Sequence, residues 1–220
     1  MARMIQRIQF SIWLLMAMLA VILFVITASY LSFKPDVNFL LVKQDIVNDS
    51  IWRPTFYIHV ISGMLVILVG PFQFLKSFRT KFLNWHKLGG KIYAYSILLL
   101  AAPTGLIMAF YAEGGLWSTV AFSIMSILWF VTTLMAVIKI KQRKIEEHKM
   151  WMMRSYALSF AAVTLRLLVP LFSLFILDNE DLITVSTAWL SWMLNLLVAE
   201  GMIFAIQQKH KRAAYAQNPN

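Results

Sequence analysis

The sequence contains no cysteine. Disulfides, thiolate metal sites, cysteine nucleophiles and iron–sulfur ligation are thereby excluded. Charge is scarce as well: 14% of the 220 residues are Asp, Glu, Lys or Arg, against about a quarter in an ordinary soluble domain. Acids are the rarer sign, 10 against 20 Lys and Arg, which leaves a net charge of +10. No P-loop, GxSxG, HExxH or dinucleotide fingerprint occurs. There is no internal repeat and no low-complexity linker.

What remains is apolar. Hydrophobic residues make up 60% of the chain and the mean hydropathy is +0.70. A helix that crosses a bilayer needs about 20 mostly apolar residues. Six segments qualify, at approximately 8–33, 55–75, 92–112, 116–138, 151–177 and 183–207. The first is too long for the apolar core of a signal peptide, and TASYLSF offers no small-residue cleavage site, so it reads as a span. The expected fold class is all-α: a bundle of six transmembrane helices forming a single transmembrane domain over residues 1–220.

The basic residues predict an orientation. Arg3 and Arg7 precede the first span. Lys76, Arg79, Lys81, Lys87 and Lys91 separate the second from the third. Lys139 to Arg154 separate the fourth from the fifth, and Lys209, Lys211 and Arg212 follow the sixth. The alternate loops carry Asp36, Asp45, Asp49, Glu113, Asp178, Glu180 and Asp181 among few bases. Both termini are therefore expected in the cytoplasm, with the chain multi-pass in the cell membrane. Topology and contact with the anionic lipid bilayer account for the basic balance, so nucleic acid is not needed as a partner. The loops Glu113–Gly115 and Asp178–Asp181 are short enough to force hairpins. Lys34–Arg53 is the longest external segment. Trp13, Trp52, Trp85, Trp117 and Trp151 suit an aromatic belt at the interfaces.

Ionisable residues inside a span face the bundle interior or a wet cavity in most membrane proteins. Arg166 lies well inside the fifth span, Glu200 toward the cytoplasmic side of the sixth, and His59 one turn into the second. His148 and Arg166 are 18 residues apart, five turns at about 3.6 residues per turn. Ser155, Ser159, Ala162 and Ser173 fall within about 40° of that line. Span five is thus expected to carry one small, polar stripe turned inward, with Leu158, Phe160, Val163 and Leu167 on its other sides. Two readings of Arg166 stand side by side. It either pairs structurally, for example with a carbonyl freed by Pro170, or holds an anionic group with its planar fork.

His86 and His148 sit at the start of the third and fifth spans, so the topology puts them at one depth. Neutral imidazole is a common metal ligand, and two from different helices suit axial ligation of a haem. Gly90 and Gly63, each four residues after a histidine, would leave bare patches for a flat macrocycle. The bland alternative is that interfacial histidines in lysine-rich loops are simply solvated. The site residues expected are therefore His86 and His148 for haem or metal, with His59, Arg166 and Glu200 as a second polar site.

Several stretches in fixed order resemble a known family. They are HVISG at 59–63, GPFQF at 70–74, WHKLGGKIY at 85–93, HKMWMMRSYAL at 148–158 and VTLR at 163–166. The chain resembles the polytopic membrane proteins grouped as domain of unknown function 2306 over roughly His59 to Pro170. The resemblance implies a helical membrane bundle and no particular activity. In outline it is similar to membrane cytochromes of the b561 kind, which need four histidines for two haems. This chain has three near its spans, which fits a single haem b at the cytoplasmic face. The functions left open are membrane redox chemistry with haem, in which a quinone is a partner; small-molecule transport along the Arg166–Glu200 region; and an assembly factor without catalysis.

Overall fold

The computed structural model describes residues 2–175 and 179–217, and among these the chain is all helical with no strand. Its helices are α1 (Ala2–Ala28), α2 (Trp52–Phe74), the short α3 (Lys76–Lys81), α4 (Leu83–Tyr95), α5 (Ala102–Ala109), α6 (Gly115–Lys141), α7 (Ile145–Ser159), α8 (Ala161–Phe175) and α9 (Glu180–Gln217). α4 runs through a π-helical segment, Ser96–Ala101, into α5, and α7 and α8 follow one another across Phe160. Six helices long and apolar enough to cross a membrane result: Phe10–Ser32, Trp52–Phe74, Leu83–Ala109, Gly115–Lys141, Ile145–Phe175 and Glu180–Arg212. The protein is an integral membrane protein of six spans. The Ile176–Asp178 end of the expected fifth span and its loop lies outside the described residues.

The packing suits lipid as solvent. Lipid tails are as apolar as leucine, so helices associate through close backbone approach and interhelical hydrogen bonds. Ala101, Ala121, Ala136, Ala188, Ser118 and Ser155 are fully buried, whereas Leu99, Leu116, Leu174 and Phe204 are among the large side chains turned outward. α2 packs against α1, α4, α5 and α7, and α9 against α6, α7 and α8. The lysine-bearing turns gather at one end of the bundle, the basic end. At the other end residues 29–51 form a compact cap with two 3₁₀ turns, Ser29–Ser32 and Asn38–Val42. Tyr30, Leu40, Trp52 and Phe56 make its core. Lys43 is only 5% exposed. Its ammonium donates to Glu113 and to the Tyr111 carbonyl, which ties the cap to the α5–α6 hairpin. Trp52, expected in the aromatic belt, is instead buried in this cap, while Trp85 and Trp117 are exposed.

Two expectations need correction. The third span begins at Leu83 rather than near 92, so Gly89, Gly90, Lys87 and Lys91 are helical; neighbouring α2 and α3 stabilise turns whose intrinsic propensity is poor. The stripe on span five is also not one face. The helix breaks at Phe160, whose backbone (φ −73°, ψ −10°) caps α7. A break resets the rotational register, so counting at 3.6 residues per turn no longer relates the two halves. Ser155 and Ser159 face inward, Arg166 and Ser173 are exposed, and Leu158 and Val163, expected elsewhere, join the core.

Candidate functional site

The centre of the bundle is a closed hydroxyl cluster. Tyr93 from α4 meets Ser155 Oγ at 3.0 Å and Ser159 Oγ at 2.8 Å, both from α7. From α6, Trp129 Nε1 donates to Ser159 Oγ at 2.9 Å and Thr133 meets Ser155 Oγ at 2.7 Å. Every member has a partner, so the cluster pins three spans together and has no unfilled valence for a ligand. Tyr93, Trp129 and Thr133 were not singled out in the sequence. The only signal available for them was a polar tip on an otherwise apolar helix.

His59 lies toward the capped end. Its Nδ1 bonds the Ala101 carbonyl at 2.8 Å, and its ring meets Trp129 edge-on. That carbonyl, at the end of the π-helical segment, also accepts from Thr104 Oγ1 at 3.3 Å. Ser126 uses the next one, Ala102 O, at 2.6 Å. Gly105 makes room for the imidazole: a Cβ there would stand 3.0 Å from His59 Cε1. Gly63, by contrast, faces open space.

Arg166 and Glu200 do not meet. Glu200 accepts two hydrogen bonds from Arg154, from Nε at 2.5 Å and Nη2 at 2.8 Å. The Arg154 guanidinium also lies over Trp151 at 4.7 Å. Arg166 is exposed on α8 and donates to the Ala162 carbonyl at 3.0 Å. Tyr30 and His59 are near enough to feel the guanidinium's charge. Its hydrogen-bonded partner is thus a carbonyl one turn before it.

Six side-chain polar atoms are buried without a hydrogen-bond partner among the described residues; Tyr57, Ser118 and Trp192 hold three of them singly, and the other three lie on α2, α4 and α7 toward the basic end. Gln73 and Tyr156 are 7% and 4% exposed. Gln73 Oε1, Tyr156 Oη and His86 Nδ1 are buried without a hydrogen-bond partner. Buried polar atoms are satisfied in the great majority of cases, so three at one junction call for a water or a ligand. Helix contacts bring them together. The Tyr156 ring lies on Gly70, where a Cβ would stand 2.0 Å from Cε2, and beside Phe74. Gln73 is one turn further along the same face of α2. Its amide lies on Gly89 and Gly90 of α4, one turn from His86. His148 Nδ1 bonds the Ala136 carbonyl at 2.8 Å, which leaves Nε2 as its free nitrogen. The two imidazoles are close enough to interact electrostatically.

Haem can be tested against these residues. The imidazoles fit axial ligation, since each has a nitrogen without a protein partner. The helix face does not fit: the bare patch expected at Gly90 is covered by the Gln73 amide, 2.5 Å from a Cβ at Gly89 and 3.7 Å from one at Gly90. Among the described residues no group of three or more His, Cys, Asp or Glu is placed to hold a metal ion.

Nothing among curated proteins or solved structures matches the chain. A family model does, that of the predicted membrane proteins DUF2306, over residues 56–203. The matched region runs from the start of α2 into α9 and contains the whole α2–α4–α7 junction. Six apolar helices, the ordered motifs and this match agree, and the chain belongs to the DUF2306 family of predicted membrane proteins.

Proposed function

We propose that this chain is a multi-pass protein of the cell membrane, a single domain with both termini in the cytoplasm, that binds a small molecule at the α2–α4–α7 junction and serves as a permease or carrier for it. The observation that carries the reading is the set of buried, unpartnered atoms Gln73 Oε1, His86 Nδ1 and Tyr156 Oη. With His148 beside them, they offer both donors and acceptors, and imidazole adds a group able to take or give a proton near neutral pH. The orientation rests on the lysines and arginines clustered at this end. The test is mass spectrometry of small molecules carried through purification by the full chain. The expected result is a stoichiometric compound in wild type that is absent from His86→Ala. Equal amounts in both, or none in either, would overturn the reading.

The redox reading has one observation in its favour: the His148 Nδ1 bond to a backbone carbonyl, which orients Nε2 as ligating histidines are oriented. It requires the Gln73 amide to leave Gly89 and Gly90. Protein expressed with ample haem should show no Soret band; a band lost in both His86→Ala and His148→Ala would restore that reading.

A further inference from the structure

The junction has an entrance from the lipid. A shallow groove of about 280 Å3 opens between α2 and α4, lined by Leu68, Phe72, Gln73, Trp85, Gly89 and Ile92 among others. Gln73 belongs to both places: its side chain lines the groove, yet its Oε1 is buried and unpartnered. We infer that the α2–α4 side of the junction takes a quinone-class lipid, with its ring against the aromatic walls of the groove, Gln73 at the ring's polar edge and its hydrocarbon tail running out into the bilayer. This inference rests on the small-molecule reading above and names the class of molecule.

Four observations carry it. The groove walls are almost wholly apolar and face outward within the spanning segments, so the occupant arrives from lipid. The groove, about 280 Å3 and open on its lipid side, seats one ring and part of one chain. Phe72, Phe78 and Trp85 line it, and aromatic walls suit a planar ring. The polar atoms beyond have mixed character. The Gln73 oxygen only accepts, whereas the tyrosine hydroxyl and the imidazole nitrogen can each donate or accept. A quinone offers carbonyl acceptors and its quinol offers hydroxyl donors, and the Gln73 amide, which lines the groove and carries both an NH2 donor and an acceptor oxygen, satisfies both forms. No carboxylate is among them, so a cationic head finds no partner.

The test uses the full chain in detergent and a benzoquinone bearing a decyl tail, read by quenching of tryptophan fluorescence. Saturable quenching is expected in wild type. Gln73→Leu should raise the midpoint about tenfold, the effect of roughly one buried hydrogen bond. Trp117→Phe, at an exposed position outside the groove, should leave the midpoint in place. Quenching that rises linearly, or that is the same in Gln73→Leu as in wild type, overturns the assignment. So does saturable quenching that phosphatidylglycerol displaces and Arg79→Gln abolishes, which would give the groove to an anionic head group. A compound that co-purifies with wild type but not with His86→Ala survives each of those negative results, so the general reading and the quinone assignment fail separately.

Discussion

Arg154 of α7 holds Glu200 of α9 by two parallel hydrogen bonds, 2.5 and 2.8 Å long. Among the described residues, the carboxylate deepest in a span is thus committed to an arginine, and the two helices are cross-linked about two-thirds of the way along α7. The pair is partly open to its surroundings, with side chains 22% and 49% exposed. Ion pairs of this exposure contribute up to about 1 kcal/mol. Glu200→Gln should lower stability in detergent by about that amount, and Arg154→Met should do no worse, since its stem still covers Trp151. Thermal unfolding of both variants and the double variant measures the coupling.

Arg166 should tolerate substitution. Its guanidinium is exposed and bonded to Ala162 O, so Arg166→Met strands no buried charge. Stability within about 1 kcal/mol of wild type is expected, with ligand retention intact. Loss of the co-purifying molecule in this variant would instead put Arg166 in the binding site.

Gly70 is where the structure is least forgiving. A Cβ there would stand 2.0 Å from Tyr156 Cε2 and 2.5 Å from Cδ2. Gly70→Ala must displace a buried aromatic ring, and overpacking of this kind costs about 1–3 kcal/mol. Tyr156→Phe keeps the ring and should give no rescue. Tyr156→Ala removes the clash, so combining it with Gly70→Ala should cost less than the two single effects summed, as a double-mutant cycle in thermal unfolding would read.

Asp49 caps the first turn of α2. Its Oδ1 accepts from the Ile51 and Trp52 backbone N–H groups at 2.8 and 2.7 Å. These bonds, Trp52 first, hold its carboxyl below the usual aspartate range. A depressed folded-state value means stabilisation that is present above the unfolded pKa and lost as pH falls through the folded one. Wild type should therefore lose its advantage over Asp49→Ala as pH is lowered below the ordinary aspartate range, and the two melting curves should converge. Curves that stay parallel through acid would remove the cap from the account.

Reporter fusions check the orientation. Asn48 and Asn179 should report the outside, Lys144 and Lys211 the cytoplasm, because Lys and Arg crowd the second pair of loops. An external signal at Lys144 would invert the arrangement and move the α2–α4–α7 junction to the other face.

The sequence by itself determined the fold class and the presence of six apolar spans. Runs such as Phe10–Ser32 can be stable only in lipid, and the turns Glu113–Gly115 leave no room for anything but a hairpin. Those properties are local: hydropathy, loop length and charge belong to segments, and no partner is needed to read them. His86 and His148 could be put at one end of the bundle for the same reason. Their neighbours could not be read so. That Gln73 would cover Gly89 and Gly90, that Tyr156 would lie on Gly70, and that Glu200 would take Arg154 rather than Arg166 depend on the rotation of each helix about its axis. Hydropathy fixes depth in the membrane and says little about that angle. In span five the break at Phe160 changed it midway, turning Ser155 and Ser159 inward while Arg166 turned out. Tertiary packing alone decided which polar atoms would be satisfied in the hydroxyl cluster and which would be left open at the α2–α4–α7 junction, because close approach at small residues, not side-chain hydrophobicity, sets how membrane helices face one another.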